Sequence, residues 1–373
     1  MFDLLTLQQY WWFLVSVIGA LFVFMTFVQG GQTLLYTLGQ TEDERDLLVN
    51  SLGRKWELSF TMLVMFGGAL FAAFPLFYAV SFGGAYYVWM AILFCFIIQA
   101  VAYEYRKKPD NLYGERFYEI FLYINGSLGI FLIGVALGTL FTGGNFVVND
   151  LHLSHWTVQS YGLEALLNPF NVVFGLMLVF LARVQGALYF FNNVAENSIT
   201  SRIKKVVLTN FILFLVLFLF VVGYILFANG YRYDPSTGVV SVERMKFLHS
   251  FMDMPVLLAA LLAGVASLLY GVYIGIVKQA RKAIWFTGIG TIVTVTVVML
   301  ILGWDNSVYY PSLADLQSSL TIVNSSGSHY TLSVMSVVSL LVPVVLLYIF
   351  FVWRSMDKTQ MTIDEVKSDS HHY

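Results

Sequence analysis

The sequence predicts an all-α integral membrane protein with nine transmembrane helices, and three observations carry that reading. Charged residues make up 11% of the 373 residues and hydrophobic ones 58%, whereas soluble domains run at about 25% charged. Apolar runs long enough to cross a bilayer as helices, about 20 residues each, recur nine times, and the mean hydropathy is +0.76. The runs lack the period-two alternation that barrel strands show. The same composition excludes a soluble enzyme and a disordered chain. A net charge of −2 offers nothing to a nucleic acid.

The first run, Tyr10–Val28, follows nine residues without Lys or Arg and precedes no small-residue cleavage site. It therefore reads as a retained span and not as a signal peptide. The second, Leu58–Phe82, carries a stripe of small residues, Gly68 with Ala72 and Ala69 with Ala73, that lets another helix approach closely. Pro75 frees a carbonyl and kinks it. The third, Ala85–Tyr103, holds the single cysteine, Cys95, so no disulfide framework forms within the chain. Glu104 and Arg106 close it and read as an interfacial pair. The fourth is Phe117–Phe141, with Glu119 near its start. The fifth, Pro169–Phe191, holds Arg183, which either snorkels to headgroups or pairs with a carboxylate inside the bundle. Val206–Phe227, Met254–Val277, Ala283–Gly303 and Leu332–Trp353 complete the set. Residues 1–355 read as one transmembrane domain, and 356–373 as a polar, mobile tail.

Lys and Arg set the orientation. Sixteen lie in the loops before spans two, four, six and eight and in the C-terminal tail. Three lie on the other side: Arg232, Arg244 and Lys246. The N-terminus is therefore expected outside and the C-terminus in the cytoplasm. Six of the eight tryptophans fall at span ends, as an aromatic belt would place them. A short repeat, Val28-Gln29-Gly30 and Val184-Gln185-Gly186, recurs four spans apart. It suggests parallel four-helix units over 10–141 and 169–303, with helix 332–353 at the periphery.

No histidine lies inside a span: the six are His152, His155, His249, His329, His371 and His372. A haem held in the bundle needs inward-facing His, Met or Cys, and the methionines present read as packing, so no haem is expected here. His152 and His155, at i and i+3, read as loop residues before metal ligands. The phosphate-binding and hydrolase motifs are missing. Ionisable residues at span ends remain as candidates. Glu57, in Gly53-Arg54-Lys55-Trp56-Glu57, is either a proton entry site or a carboxylate favoured by a helix N-terminus.

That segment, with Gly67 to Pro75, resembles a signature of subunit II of the cytochrome bd quinol oxidases. Glu42 to Ser51, Ala102-Tyr103-Glu104-Tyr105-Arg106, Asn168-Pro169-Phe170 and Val184 to Tyr189 are similar to further family segments. The resemblance implies a multi-pass subunit of a prokaryotic plasma-membrane enzyme that oxidises quinol and reduces oxygen to water. Two four-helix bundles and a peripheral helix would form it. Two haems b and one haem d would sit in the partner, subunit I, and this chain would bind no cofactor directly. It would draw on the quinone pool and contact lipids, and the resemblance leaves room for a structural quinone and a small accessory subunit. Glu57 matches the family's acidic position after the signature Trp56 and would deliver protons. Arg106 matches a basic residue at the end of helix three. Glu104, Arg183, Gly68 and Ala72 would serve structure or the subunit interface. One departure is clear: where many members carry Asp-Gly-x-Asp, this chain has Gln29-Gly30-Gly31-Gln32. The rival class is a secondary transporter or channel, which should show broken helices and polar residues near the bilayer midplane.

Overall fold

A computed structural model describes residues 2–368. Among them, nine helices are long and apolar enough to cross a membrane: α1 Leu4–Gln32, α2 Glu42–Ala73, α3 Tyr86–Tyr105, α4 Glu115–Thr142, α5 Pro169–Asn193, α6 Asn197–Phe227, α7 Pro255–Ile276, α8 Ala283–Gly303 and α9 His329–Met356. Most run beyond their hydropathy limits. Polar first turns and caps extend a helix without raising hydropathy: Asp3 accepts the Thr6 amide ahead of α1, and Asn168 accepts the Phe170 amide at α5, with Pro169 as its first residue.

α2 departs most from expectation. It begins 16 residues before the hydropathic run, with Glu42–Gly53 started by a reciprocal Thr41–Glu44 capping box. The helix turns at Arg54–Lys55 and resumes at Trp56. It stops at Ala73 rather than Phe82, because Pro75 has no amide to donate. Phe74 leaves helical geometry, and the chain continues through a short helix, Pro75–Tyr78, and a wide turn, Ala79–Gly84.

α1 and α5 cross at the short repeat. A Cβ on Gly30 would fall 2.0 Å from the Ala182 carbonyl oxygen, and one on Gly186 would fall 2.4 Å from the Gly31 amide nitrogen. Each glycine lets the other helix's backbone into van der Waals contact, as small residues do in membrane bundles. α5 also packs on α4 and α6, α1 on α2 and α8, and α7 on α8. The apolar window of α1 is 78% buried and that of α9 only 6%.

Four of the belt tryptophans are not at a lipid interface. Trp11, Trp12, Trp56 and Trp353 are buried in the protein. Trp12 donates to the Met299 carbonyl (2.7 Å) and Trp353 to Asp357 (2.6 Å). A buried indole N–H needs a partner, and helix ends supply one where lipid cannot.

At the end of the bundle away from the basic loops, two hairpins form a cap: β1 Phe146–Val148 with β2 Ser154–Trp156, and β3 Gly230–Tyr233 with β4 Val240–Glu243. The segment after α8 joins them, with Leu313 donating to Gly144 (2.9 Å). Tyr309 and Tyr310 are buried beneath it. The tail expected to be mobile carries contacts through residue 368: Met361 is buried beside Val194, and a short helix, Ile363–Ser368, rests on the first half of α2.

Candidate functional site

The basic end holds the chemistry, starting at the turn inside α2. Lys55 leaves helical geometry and its side chain is fully buried, with Nζ 2.9 Å from Asp357 Oδ1. Asp357 also accepts from Trp353 Nε1 (2.6 Å) and from Asn193 Nδ2 (3.1 Å), and Asn193 accepts the Ser51 hydroxyl (2.7 Å). Arg54 pairs with Glu365 at 3.0 Å. Both bases beside Glu57 are thus committed to the tail. Glu57 is exposed on the surface of the chain and has no ion pair or hydrogen bond among the described residues. Trp56 points inward, stacked on Tyr103 with centroids 5.4 Å apart, and its buried Nε1 lacks an acceptor.

Behind Trp56 lies a buried polar cluster. Gln29 and Gln32 both donate to Gln99 Oε1 (2.9 and 2.7 Å), Gln32 donates to the Tyr103 hydroxyl (3.2 Å), and Ser59 donates to Gln29 Oε1 (2.8 Å). Asn125 is buried in a π-helical turn of α4, Asn125–Gly129, that packs on α3 and on the end of α1, with Gly126 against the Gln29 carbonyl. Such turns recur at functional sites. Gln32 Oε1, Gln99 Nε2 and both amide atoms of Asn125 are buried without a protein partner. Buried groups of this kind are commonly met by ordered water. The cluster is neutral, because glutamine stands at both positions where the resemblance leads one to expect aspartate.

An ion network closes the same end. Arg106 Nη2 lies 2.6 Å from Asp46, 2.9 Å from Glu115 and 2.7 Å from Glu119. Lys107 adds pairs to Asp46 (2.7 Å) and Glu115 (2.5 Å). Arg45 is 3.8 Å from Glu119 and stands over the Tyr36 ring. Tyr36 is exposed overall, but its hydroxyl end turns in and donates to Glu119, and desolvation there followed by that carboxylate pushes the Tyr36 pKa up to about 12. Three cations meet three carboxylates, which is how charges survive desolvation. The expected Glu104–Arg106 pair is not formed. Residues two apart lie on opposite faces of a helix, so Glu104 is exposed while Arg106 turns in.

The other expected positions separate. Gly68 is open, with nothing within 4 Å of where a Cβ would be, whereas Ala72 lies near the loop at Gly327. Arg183 meets no carboxylate among the described residues: its Nε donates to Asn210 (2.7 Å) and its Nη1 to Thr33 (2.9 Å). His152 and His155 are exposed in the β1–β2 hairpin, and His371 and His372 lie outside the described residues. Among those described, no group of three or more His, Cys, Asp or Glu is placed to hold a metal. Among the described residues the one imidazole in a span is His329, at the first residue of α9 and hydrogen-bonded to the Phe2 carbonyl (2.9 Å), so the spans offer no pair of inward imidazoles for a haem of the His/His kind. Sequence reasoning missed Asn125, Asp46 and Asp357. The Asn125-Gly126 and Gly129 spacing was the one local signal for the first, and nothing local marks the other two.

Two cavities lie in the interior. One of about 130 Å³ is apolar and lies between α1, α2, α4, α5, α6 and α8, lined by Phe22, Phe66, Leu137, Leu178, Phe214 and Met299 among others. Another, of about 420 Å³, lies under the cap beside Thr139, Glu164, Asn171 and Tyr310.

A family model described as cytochrome bd terminal oxidase subunit II matches residues 7–356. The cytochrome bd-I ubiquinol oxidase subunit 2 of Escherichia coli K12 is 28% identical over 385 residues, covering 100% of this chain and 99% of that protein. The cytochrome bd ubiquinol oxidase subunit 2 of Bacillus subtilis is 26% identical over 357 residues, covering 94% of this chain and 96% of that one. The fold is similar to a chain in the structure of bd oxidase from Geobacillus thermodenitrificans, with a TM-score of 0.62 and 12% identity over 94% of this chain and 98% of that one.

Proposed function

This chain belongs to the cytochrome bd terminal oxidase subunit II family, and on that premise we propose that it delivers protons from the cytoplasm to the oxygen-reducing site of its partner. It is a multi-pass inner-membrane subunit of a bd-type quinol oxidase, not a transporter. The family implies haems in subunit I. The proposed arrangement is two four-helix bundles with α9 at the edge, the N-terminus outside and the basic end in the cytoplasm, as the distribution of Lys and Arg requires. Quinone, lipids and a small accessory subunit are the remaining proposed contacts.

The observation that carries the proton role is the state of Glu57. It lies in the first turn of the apolar part of α2, exposed on this chain, while the two bases beside it are held by Asp357 and Glu365. A carboxylate at the edge of hydrocarbon that meets no counter-ion among the described residues is costly, and such groups are functional candidates. Gly68 lies on the same helix with an equally open face, which fits a partner helix docking along α2. Trp56 would shape the inner wall of this entrance. Reducing oxygen to water consumes protons, so a buried reaction centre requires such an entrance.

The test is Glu57→Gln in the assembled oxidase, which keeps shape and hydrogen bonding and removes the charge. We expect full haem content with turnover reduced about tenfold or more. Wild-type turnover across pH with unchanged proton uptake would remove Glu57 from any obligatory path.

A further inference from the structure

Arg183 differs from the other buried or partly buried bases among the described residues. Lys55 has Asp357, Arg106 has three carboxylates, Arg202 has Glu44 and Lys246 has Asp305. Arg183 has no carboxylate within ion-pair distance among the described residues, and its two hydrogen bonds go to neutral acceptors, Asn210 Oδ1 and Thr33 Oγ1. Asn210 is itself fixed by donating to the Val206 carbonyl (2.7 Å). The guanidinium is therefore held by Nε and Nη1, while Nη2 makes no hydrogen bond among the described residues. The side chain is half-buried, and Tyr123 of α4 lies within electrostatic range of it. Leu208 and Ile212, two residues either side of Asn210, are exposed.

We propose that Arg183 binds the phosphate of an anionic phospholipid whose acyl chains lie along α4 and α6. A cation in an apolar surround is expensive unless an anion meets it. A guanidinium with a free donor edge matches a phosphate oxygen in both charge and geometry. Arg183 lies ten residues before the basic end of α5, about 15 Å along the helix, and its long side chain can extend toward the headgroups. The exposed Lys204 and Lys205 lie five to six residues before Asn210 on α6, roughly 8 Å along the helix, and draw acidic lipid to this leaflet. A lipid, not a partner carboxylate, is the occupant because the exposed residues two either side of Asn210, Leu208 and Ile212, are aliphatic and the exposed charges on this part of α6 are basic. The open carboxylate and open glycine expected to face the partner lie on α2, not on α4 or α6.

The experiment uses the assembled oxidase in detergent, washed of loose lipid, with phosphatidylglycerol as probe. Native mass spectrometry of Arg183→Gln should show about one fewer retained phospholipid per complex than wild type. Added phosphatidylglycerol should raise the thermal midpoint of wild type and not of the variant, with Arg183→Lys between them. Inorganic phosphate at the same concentration should leave the midpoint unchanged. Equal lipid retention and equal protection in Arg183→Gln would overturn the proposal, as would protection by inorganic phosphate alone. If that variant does not assemble, a density map of the wild-type complex decides. Phosphate density beside Nη2 supports the site; a carboxylate of the partner subunit there, or no density, overturns it.

Discussion

Lys55 and Asp357 carry the largest single charge interaction in the turn before the apolar part of α2. The ammonium group is wholly buried and lies over the Trp353 ring as well as against the carboxylate. Removing one member of a buried pair leaves an uncompensated charge, a loss of about 3 kcal/mol or more. Asp357→Asn is expected to lower the thermal midpoint of the complex clearly, and replacing both residues with apolar ones of similar size should recover most of it. A small effect of Asp357→Asn alone would mean that the pair is not buried in the assembled enzyme. Tyr36 gives a pH-dependent counterpart. Its folded pKa, raised to about 12 from 10.0, means that the unfolded chain ionises first as pH rises. Its contribution is complete below pH 10 and is lost between about 10 and 12. Thermal midpoints measured from pH 9 to 11 should therefore fall more steeply in wild type than in Tyr36→Phe; parallel curves would contradict the assignment.

The helices divide their glycines between two uses. At Gly30 a Cβ has no room, since the Ala182 carbonyl occupies its place, while at Gly68 a Cβ meets nothing. Gly30→Val must push α1 off α5, and overpacking of this kind costs about 1–3 kcal/mol or more. Gly68→Ala should leave the subunit as stable as before, and Gly68→Leu should weaken only its retention of subunit I in pull-down. Equal loss of fold in both glycine variants would show that the open face of α2 is packed inside this chain. The π-helical turn of α4 has a similar logic. It turns Asn125 into the interior, and a Cβ on Gly126 would strike the Gln29 carbonyl at 2.2 Å.

Across the whole molecule, nine spans, a basic end and the near-absence of intramembrane histidine were legible in the sequence, because each is a local sum. Hydropathy over 20 residues identifies a span whatever its neighbours are, and counting Lys and Arg needs no contact map. The family segments around Trp56-Glu57 were legible for the same reason. The partners of the charged and polar groups were not. Gln29 reaches Gln99 across 70 residues, Arg183 reaches Thr33 across 150, and Lys55 reaches Asp357 across 302. Glu104 and Arg106, adjacent in every local reading, part to opposite faces of α3. The belt tryptophans fell at span ends as expected, yet four turned inward once the ends were covered by the tail and cap. The sequence by itself determined which segments enter the membrane, since that depends on free energy of transfer summed along the chain. The tertiary structure decided which polar groups are neutralised and which stay open, because burying a charge or an amide is tolerable only where a distant residue supplies its partner.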